Sequence, residues 1–126
     1  MLSYIKELAT TFLVFTGIAT GSGFPSSVVQ AQGVDAVFLC QHPTDSGTID
    51  WIINGTTLRN IDTSTGLIRS EGRGGATEAL VITAIPEYNN TVIVCLRFIR
   101  INGTVILERS PPAILIIQGD ILVVAI

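Results

Sequence analysis

Between residues 25 and 119 apolar and polar positions alternate in short runs separated by turn residues. Ser27–Ala31 (SVVQA) is a short edge-strand run, and Asp35–Cys40 (DAVFLC) follows after Gln32-Gly33. Counting back in twos from Cys40 puts Phe38 and Ala36 on its face, because successive side chains of a strand point to opposite sides. Ile49–Ile53 surrounds Trp51, with Ile49 and Ile53 on the tryptophan's side and Ile52 on the other. Asn54-Gly55 closes a two-residue hairpin, and Thr56–Asn60 returns. Leu67–Ser70 is a further short strand. In Glu78–Ala84, Leu80 and Ile82 face in while Ala79 and Val81 face out. Thr91–Ile101 is the longest run. A second Asn-Gly turn at 102–103 returns it as Thr104–Glu108. The turn sets the register: Ile101 opposite Thr104, Ile99 opposite Ile106, Arg97 opposite Glu108. The opposite charges of the last pair fall on facing positions, which supports the hairpin. Ser110-Pro111-Pro112 interrupts the ladder and Ala113–Gln118 resumes it. The pattern predicts an all-β fold of antiparallel strands.

Composition narrows the functional classes. The chain has 126 residues, enough for one domain of ordinary size, and is 48% apolar and 13% charged. Its net charge of −3 is scattered, with no basic stripe, which speaks against nucleic acid as a partner. The two cysteines and the single histidine, His42, cannot assemble a four-ligand zinc site. His42 lies in the Pro/Asp/Ser/Gly-rich loop 41–48 and has no second histidine to work with. No Gly-x-Ser-x-Gly elbow and no cleft-like acid pair is present. Gly72-Arg73-Gly74-Gly75 lacks the Lys-Ser/Thr and the following helix of a phosphate loop, so it reads as a turn. The expectation is a protein without catalysis, cofactor, metal or small-molecule substrate.

The two ends are different in kind. Leu8–Ile18 (LATTFLVFTGI) is an apolar run followed by small residues at 19–23, the layout of a secretory signal peptide. Residues 1–23 are expected to be that signal, cleaved near Gly21–Gly23; an uncleaved anchor or a cytosolic helix is the alternative. The run is too short for a comfortable membrane span. Residues 24–119 form the domain and 120–126 a short tail, interrupted by Asp120. Either the chain stops there and is secreted, or it is the amino-terminal part of a longer protein. Any membrane attachment would then come through a region outside this sequence.

Cys40, Trp51, the Leu80-x-Ile82 step and Cys95, at their spacings, resemble the core of the immunoglobulin-like fold. Trp51-x-x-Asn54-Gly55-x-x-Leu58 is similar to that family's C–C′ pattern. The resemblance implies a disulfide from Cys40 on strand B to Cys95 on strand F. It implies Trp51 packed on that bond, and a core of Trp51, Phe38, Leu80, Ile82 and Ile93. A disulfide requires an oxidising compartment; two buried free thiols are the alternative. One departure is plain. The tyrosine expected two residues before the second cysteine is Ile93, and the aspartate four before that position is Asn89. The tyrosine-corner hydrogen bond is therefore absent unless Tyr88 replaces it.

Three N-glycosylation sequons begin at Asn54, Asn89 and Asn102, all in turns. For Asn54 and Asn102 the Asn-Gly pair is also plain hairpin chemistry. In an immunoglobulin-like sandwich, sugar on Asn102 would cover the F–G tip, which disfavours recognition by loop tips. The sheet face is the better candidate. Ile52, Val94, Leu96, Phe98, Val105 and Leu107 alternate with Trp51 and Cys95 and are expected on the outer C–F–G face, rimmed by Arg100 and Arg109. An exposed apolar cluster marks an interaction surface for a protein partner or a second copy. The expected role is extracellular recognition or adhesion by protein–protein contact. A structural spacer module of a longer membrane receptor and a secreted soluble immune-type binding protein are the alternatives. Expression in a eukaryotic secretory cell checks the route: the expected product is recovered from the medium, begins near Phe24, and loses mass on enzymatic removal of N-linked sugar. Unglycosylated product held in the cell with both thiols free would overturn it.

Overall fold

In the computed structural model, residues 23–42, 48–72 and 76–119 are described. They form nine strands: β1 Val28–Ala31, β2 Asp35–Gln41, β3 Thr48–Ile53, β4 Thr56–Thr57, β5 Ile68–Gly72, β6 Thr77–Thr83, β7 Thr91–Ile101, β8 Thr104–Arg109 and β9 Ala113–Gln118. Short 3-10 turns lie at Leu58–Asn60 and Pro86–Tyr88. The strands make two sheets. One has six strands in the order β1-β9-β7-β3-β4, with β8 also paired to β7; the other has three in the order β2-β6-β5. Neighbours are antiparallel except β1, which runs parallel to β9. Residues 1–22 of the expected signal peptide, the tail and most of the loop after His42 lie outside the described residues.

The register follows from side-chain alternation. Trp51 stands beside Cys95 in the large sheet, and Phe38 beside Leu80 and Ala36 beside Ile82 in the small one. These side chains meet between the layers with Ile53, Ile68, Ile93 and Leu115. Cys40 on β2 and Cys95 on β7 are disulfide-bonded across the two sheets, with their Cα atoms 6.5 Å apart. Phe38, Trp51, Leu80, Ile82 and Ile93 are all fully buried. The indole N–H of Trp51 is buried without a hydrogen-bond partner, so its contribution is the packing of its ring.

Three local features depart from the sequence pattern, each for a visible reason. The return strand after Trp51 is two residues long instead of five. Leu58 turns onto the core, while Arg59 Nη2 donates to Asp50 Oδ2 at 2.8 Å and Asn60 Nδ2 to Thr57 Oγ1 at 3.1 Å, winding the chain into a 3-10 turn. Ala79 and Val81 point away from the core as expected, yet both are buried. They lie on the central strand of three. Val81 stands between Val37 and Arg69, and Ala79 between Leu39 and Glu71. Arg69 reaches over β6 to donate to Asp35 Oδ2 at 2.9 Å, and to Glu71 Oε2 at 3.0 Å. Hydrogen bonds from Arg69 and then Thr83 hold the Asp35 carboxyl below its usual pKa and stabilise this strap. Finally, the missing tyrosine corner is replaced. Thr91 is buried and its hydroxyl donates to the Tyr88 carbonyl at 2.6 Å, while the Tyr88 ring packs against the core.

Both Asn-Gly turns have the positive φ pair of a type I′ hairpin: +49° and +84° at Asn54-Gly55, +50° and +79° at Asn102-Gly103. Replacing Cys40 and Cys95 together by alanine removes a crosslink across a 55-residue separation. The expected loss is about 4 kcal/mol in the chain-entropy account, read as a lowered urea midpoint.

Candidate functional site

The outer face of the six-stranded sheet carries the candidate surface. Its register sets Ile52 beside Val94, Thr48 beside Phe98 and Asp50 beside Leu96. Phe98 faces Leu107, Arg100 faces Val105 and Leu96 faces Arg109. The hairpin register is the one the turn predicts. Val105 is 53% exposed and Leu107 56%. Ile52, Leu96 and Phe98 are half-buried in the sheet surface. Val94 departs from expectation: it points outward but is only 6% exposed. It is in the middle of the central strand, with Ile52 beside it and the kinked chain at 110–112 on its other flank, so its neighbours cover it. The surface is therefore built on Phe98, Leu107 and Val105, with Ile52 and Leu96 as its floor.

The same face extends further than the sequence pattern suggests. Val92 faces Ile114, and Ile116 stands beside Val29 on β1. Val29, Ile114 and Ile116 are all exposed. A β-bulge hides this continuity. Leu96 pairs with Arg109, but Ile93 pairs with Ala113, so one extra residue enters at Ser110–Pro112. Outward positions are odd-numbered in β8 and even-numbered in β9. Counting in twos through the two prolines gives the wrong side for Ile114 and Ile116. The detectable signal is Val92, which keeps unbroken phase with Val94, Leu96 and Phe98 along β7.

Charge on this face is sparse. Asp50 is paired with Arg59, and Arg100 and Arg109 have no ion-pair partner among the described residues. Beneath the face, Arg97 is a structural tie. Its Nη2 and Nε donate to Glu108 Oε1 at 2.6 and 3.0 Å, its Nη1 donates to the Gln41 carbonyl at 3.0 Å, and its guanidinium lies 4.0 Å from the Phe24 ring centroid. Gly23 adopts φ +84°, and a Cβ there would come 3.0 Å from Arg97 Nη1, so this approach requires glycine. One side chain thus joins β7, β8, β2 and the entry segment.

The sequon asparagines sit where the turns were expected. Asn54 Oδ1 accepts from the Val92 N–H at 2.9 Å, and Asn89 Oδ1 from the Ile117 N–H at 2.8 Å. In both cases Oδ1 is the bonded atom, and Nδ2, the atom that sugar attaches to, is not used. Asn102 is exposed at the opposite end of β7.

Elsewhere the chemistry is bland. His42 Nε2 lies 3.7 Å from Glu78 Oε2 and its Nδ1 is buried without a partner. A depression of about 370 Å³ between Leu58, Ile61, Thr63 and Ser70 holds only Arg59 and Arg69 as ionisable groups, both committed to carboxylates. Among the described residues no three His, Cys, Asp or Glu side chains gather as a metal site, and no helix is long and apolar enough to cross a membrane.

Two sheets sealed by a disulfide and a buried tryptophan define an immunoglobulin-like fold, and comparison with solved structures shows the same. The chain is similar to Duf (Kirre) D1, at 15% identity and TM-score 0.60, covering 77% of this chain and 93% of that one. It is similar to Rst D1-D2, at 17% identity and TM-score 0.60, covering 76% of this chain and 47% of that one. It is also similar to the titin domains z1z2 in complex with telethonin, at 19% identity and TM-score 0.59, covering 85% and 51%. The chain spans 32% of the titin I9-I11 tandem. No family model and no curated protein matches the sequence.

Arg97→Ala should lower stability by roughly 1.5–3 kcal/mol, since it removes charge-assisted bonds to Glu108 and the Gln41 carbonyl. Glu108 is partly solvated, which keeps the loss below that of a fully buried pair. Thermal unfolding measures it; an unchanged midpoint would show that the tie contributes nothing.

Proposed function

We propose that this chain is an extracellular recognition or adhesion module, and that it acts by protein–protein contact through the outer face of the six-stranded sheet. The observation that carries the reading is the run of outward apolar side chains on one face, from Val105, Leu107 and Phe98 down to Ile114, Ile116 and Val29. A solvated sheet face ordinarily alternates polar side chains outward. Here the outward positions of three adjoining strands are valine, leucine, isoleucine and phenylalanine, with Gln118 and two arginines that have no ion-pair partner among the described residues at the rim. A large uncovered apolar patch with a polar rim is the composition of an interface.

The sequons support the same orientation. Asn54 and Asn89 lie toward one end of β7 and Asn102 toward the other, so sugars there leave the face between them open. The secretory reading of residues 1–23 and the Cys40–Cys95 bond agree with an oxidising, extracellular setting. Among the structural neighbours, a titin segment with this fold is seen in complex with another protein, telethonin. Similarity to tandem titin domains favours a second reading, a spacer stacked in a longer protein, in which the same face would meet a neighbouring module.

Phe98→Asp and Ile114→Asp separate these readings. Each places a charge on the face at a different strand without touching the inter-sheet core. The expected result is a folded protein, by circular dichroism and thermal midpoint, whose binding to a panel of immobilised cell-surface ectodomains is weakened at least ~10-fold, the loss typical of a hot-spot residue. A wild-type chain that binds no ectodomain in the panel would leave the spacer reading standing.

A further inference from the structure

Among the described residues the outer edge of β8 has no strand beside it, because β9 continues on β7 only below the bulge. The direction of its backbone groups follows from two observations. Ile101 and Thr104 flank a two-residue turn, and the Ser110 N–H donates to the Cys95 carbonyl at 2.9 Å. Both fix the hydrogen-bond phase, so Thr104, Ile106 and Glu108 turn their N–H and C=O groups toward β7. Val105, Leu107 and Arg109 turn theirs to the open side.

Open edges are ordinarily blunted by shortness, charge or proline. β4 has two residues, and β5 carries Arg69 and Glu71. β8 has six residues and a neutral Val105-Ile106-Leu107 centre. Those three consecutive residues are 53%, 38% and 56% exposed, so both faces of the ribbon are uncovered there. On the inner side Ile101, on β7, is a further 48% exposed.

We propose that β8 pairs antiparallel with β8 of a second copy across a two-fold axis at Ile106, joining two six-stranded sheets into one continuous sheet. The strand's own register argues for a second copy. If the outer faces stay on the same side, odd positions must meet odd and even meet even. Centring on Ile106 sets Val105 against the partner's Leu107 outside and Ile106 against the partner's Ile106 inside. Thr104 then meets the partner's Glu108, and Arg109 the partner's Gly103, so no like charges face each other. Centring one residue later would put Val105 against Arg109 and Ile106 against Glu108. The apolar register also forms about four main-chain hydrogen bonds from the open groups of Val105 and Leu107. It brings the exposed Ile101 and Ile106 of both copies together beneath the ribbon. Addition at a sheet edge is an established mode of protein recognition. This contact uses the edge and the underside of the hairpin and shares Val105 and Leu107 with the outer face, but it leaves Phe98 and Ile114 outside it, so substitutions at those two positions test the function proposed above separately.

The experiment is sedimentation velocity on the full chain, freed of N-linked sugar, with three variants. Val105→Pro removes an edge-facing N–H that β7 does not use, at a position where an edge strand tolerates proline. The expected result is a wild-type dimer, a monomeric Val105→Pro variant, and a Phe98→Asp variant that remains dimeric. Ile106→Cys should form a disulfide between copies spontaneously, seen on a non-reducing gel, because facing residues at the axis approach within disulfide reach. Thr104→Cys should not. A wild-type monomer at every concentration overturns the proposal, as does a Val105→Pro dimer or a failure of Ile106→Cys to crosslink. Should Val105→Pro fail to fold, the crosslinking pair decides alone. A dimer lost in Phe98→Asp but kept in Val105→Pro would place self-association on the face and reject the edge.

Discussion

Two sheets that share no ladder hydrogen bonds are held together by what lies between them. In this domain that is the Cys40–Cys95 bond with Trp51, Phe38, Leu80, Ile82, Ile93 and Leu115 packed around it. The hydrophobic effect supplies the attraction and the crosslink narrows the unfolded ensemble. The remaining features are conditional on this contact. β7 must run through the middle of the large sheet because it carries Cys95 and Ile93. β6 must be central in the small one because it carries Leu80 and Ile82. Once those strands are placed, alternation decides which side chains are left on the outside.

Alternation also explains how much was legible in the sequence. The core was readable because the inward side chains of β2, β3 and β7 are fixed in phase to a cysteine or to Trp51 within an unbroken strand, and Leu80 and Ile82 alternate with Ala79 and Val81 along β6. The β7–β8 register was readable because a two-residue Asn-Gly turn admits only one pairing, and Arg97 with Glu108 agrees with it. Phase was lost at Ser110-Pro111-Pro112, where a bulge inserts one residue and carries Ile114 and Ile116 onto the outer face. Depth was not legible at all. Val94 and Val81 point outward but are covered, because burial of an outward residue depends on which strands flank it. A sequence pattern does not contain that order.

The smaller surprises share a cause. Where the pattern lacked a familiar device, a nearby polar group supplies the bond. The Thr91 hydroxyl closes the corner that a tyrosine would otherwise hold. Asn54 and Asn89 each satisfy a backbone N–H that strand pairing leaves over. Ser110 does the same at the bulge, where its Oγ accepts from the Cys95 N–H at 2.9 Å. Buried or half-buried main-chain groups require partners, and short polar side chains in turns are the cheapest source of them.

The hairpin above the bulge has a different physical status from the rest of the fold. Arg97 and Glu108 form its last ion pair to the sandwich. Below that level Ile93, Cys95, Ala113 and Leu115 lie in the core; above it Ile99 is still buried, but Ile101 and Ile106 are exposed, although they lie on the inward side. Their burial therefore contributes little to holding the two sheets together. A polar ribbon would serve the fold equally well and would be safer in water, since an apolar open edge invites unwanted pairing. Four aliphatic residues, Ile101, Val105, Ile106 and Leu107, nonetheless stand uncovered around this edge. The fold does not require them, and solubility argues against them. The physical advantage left to such a ribbon is contact with another chain, which would cover both its faces and its open edge at once.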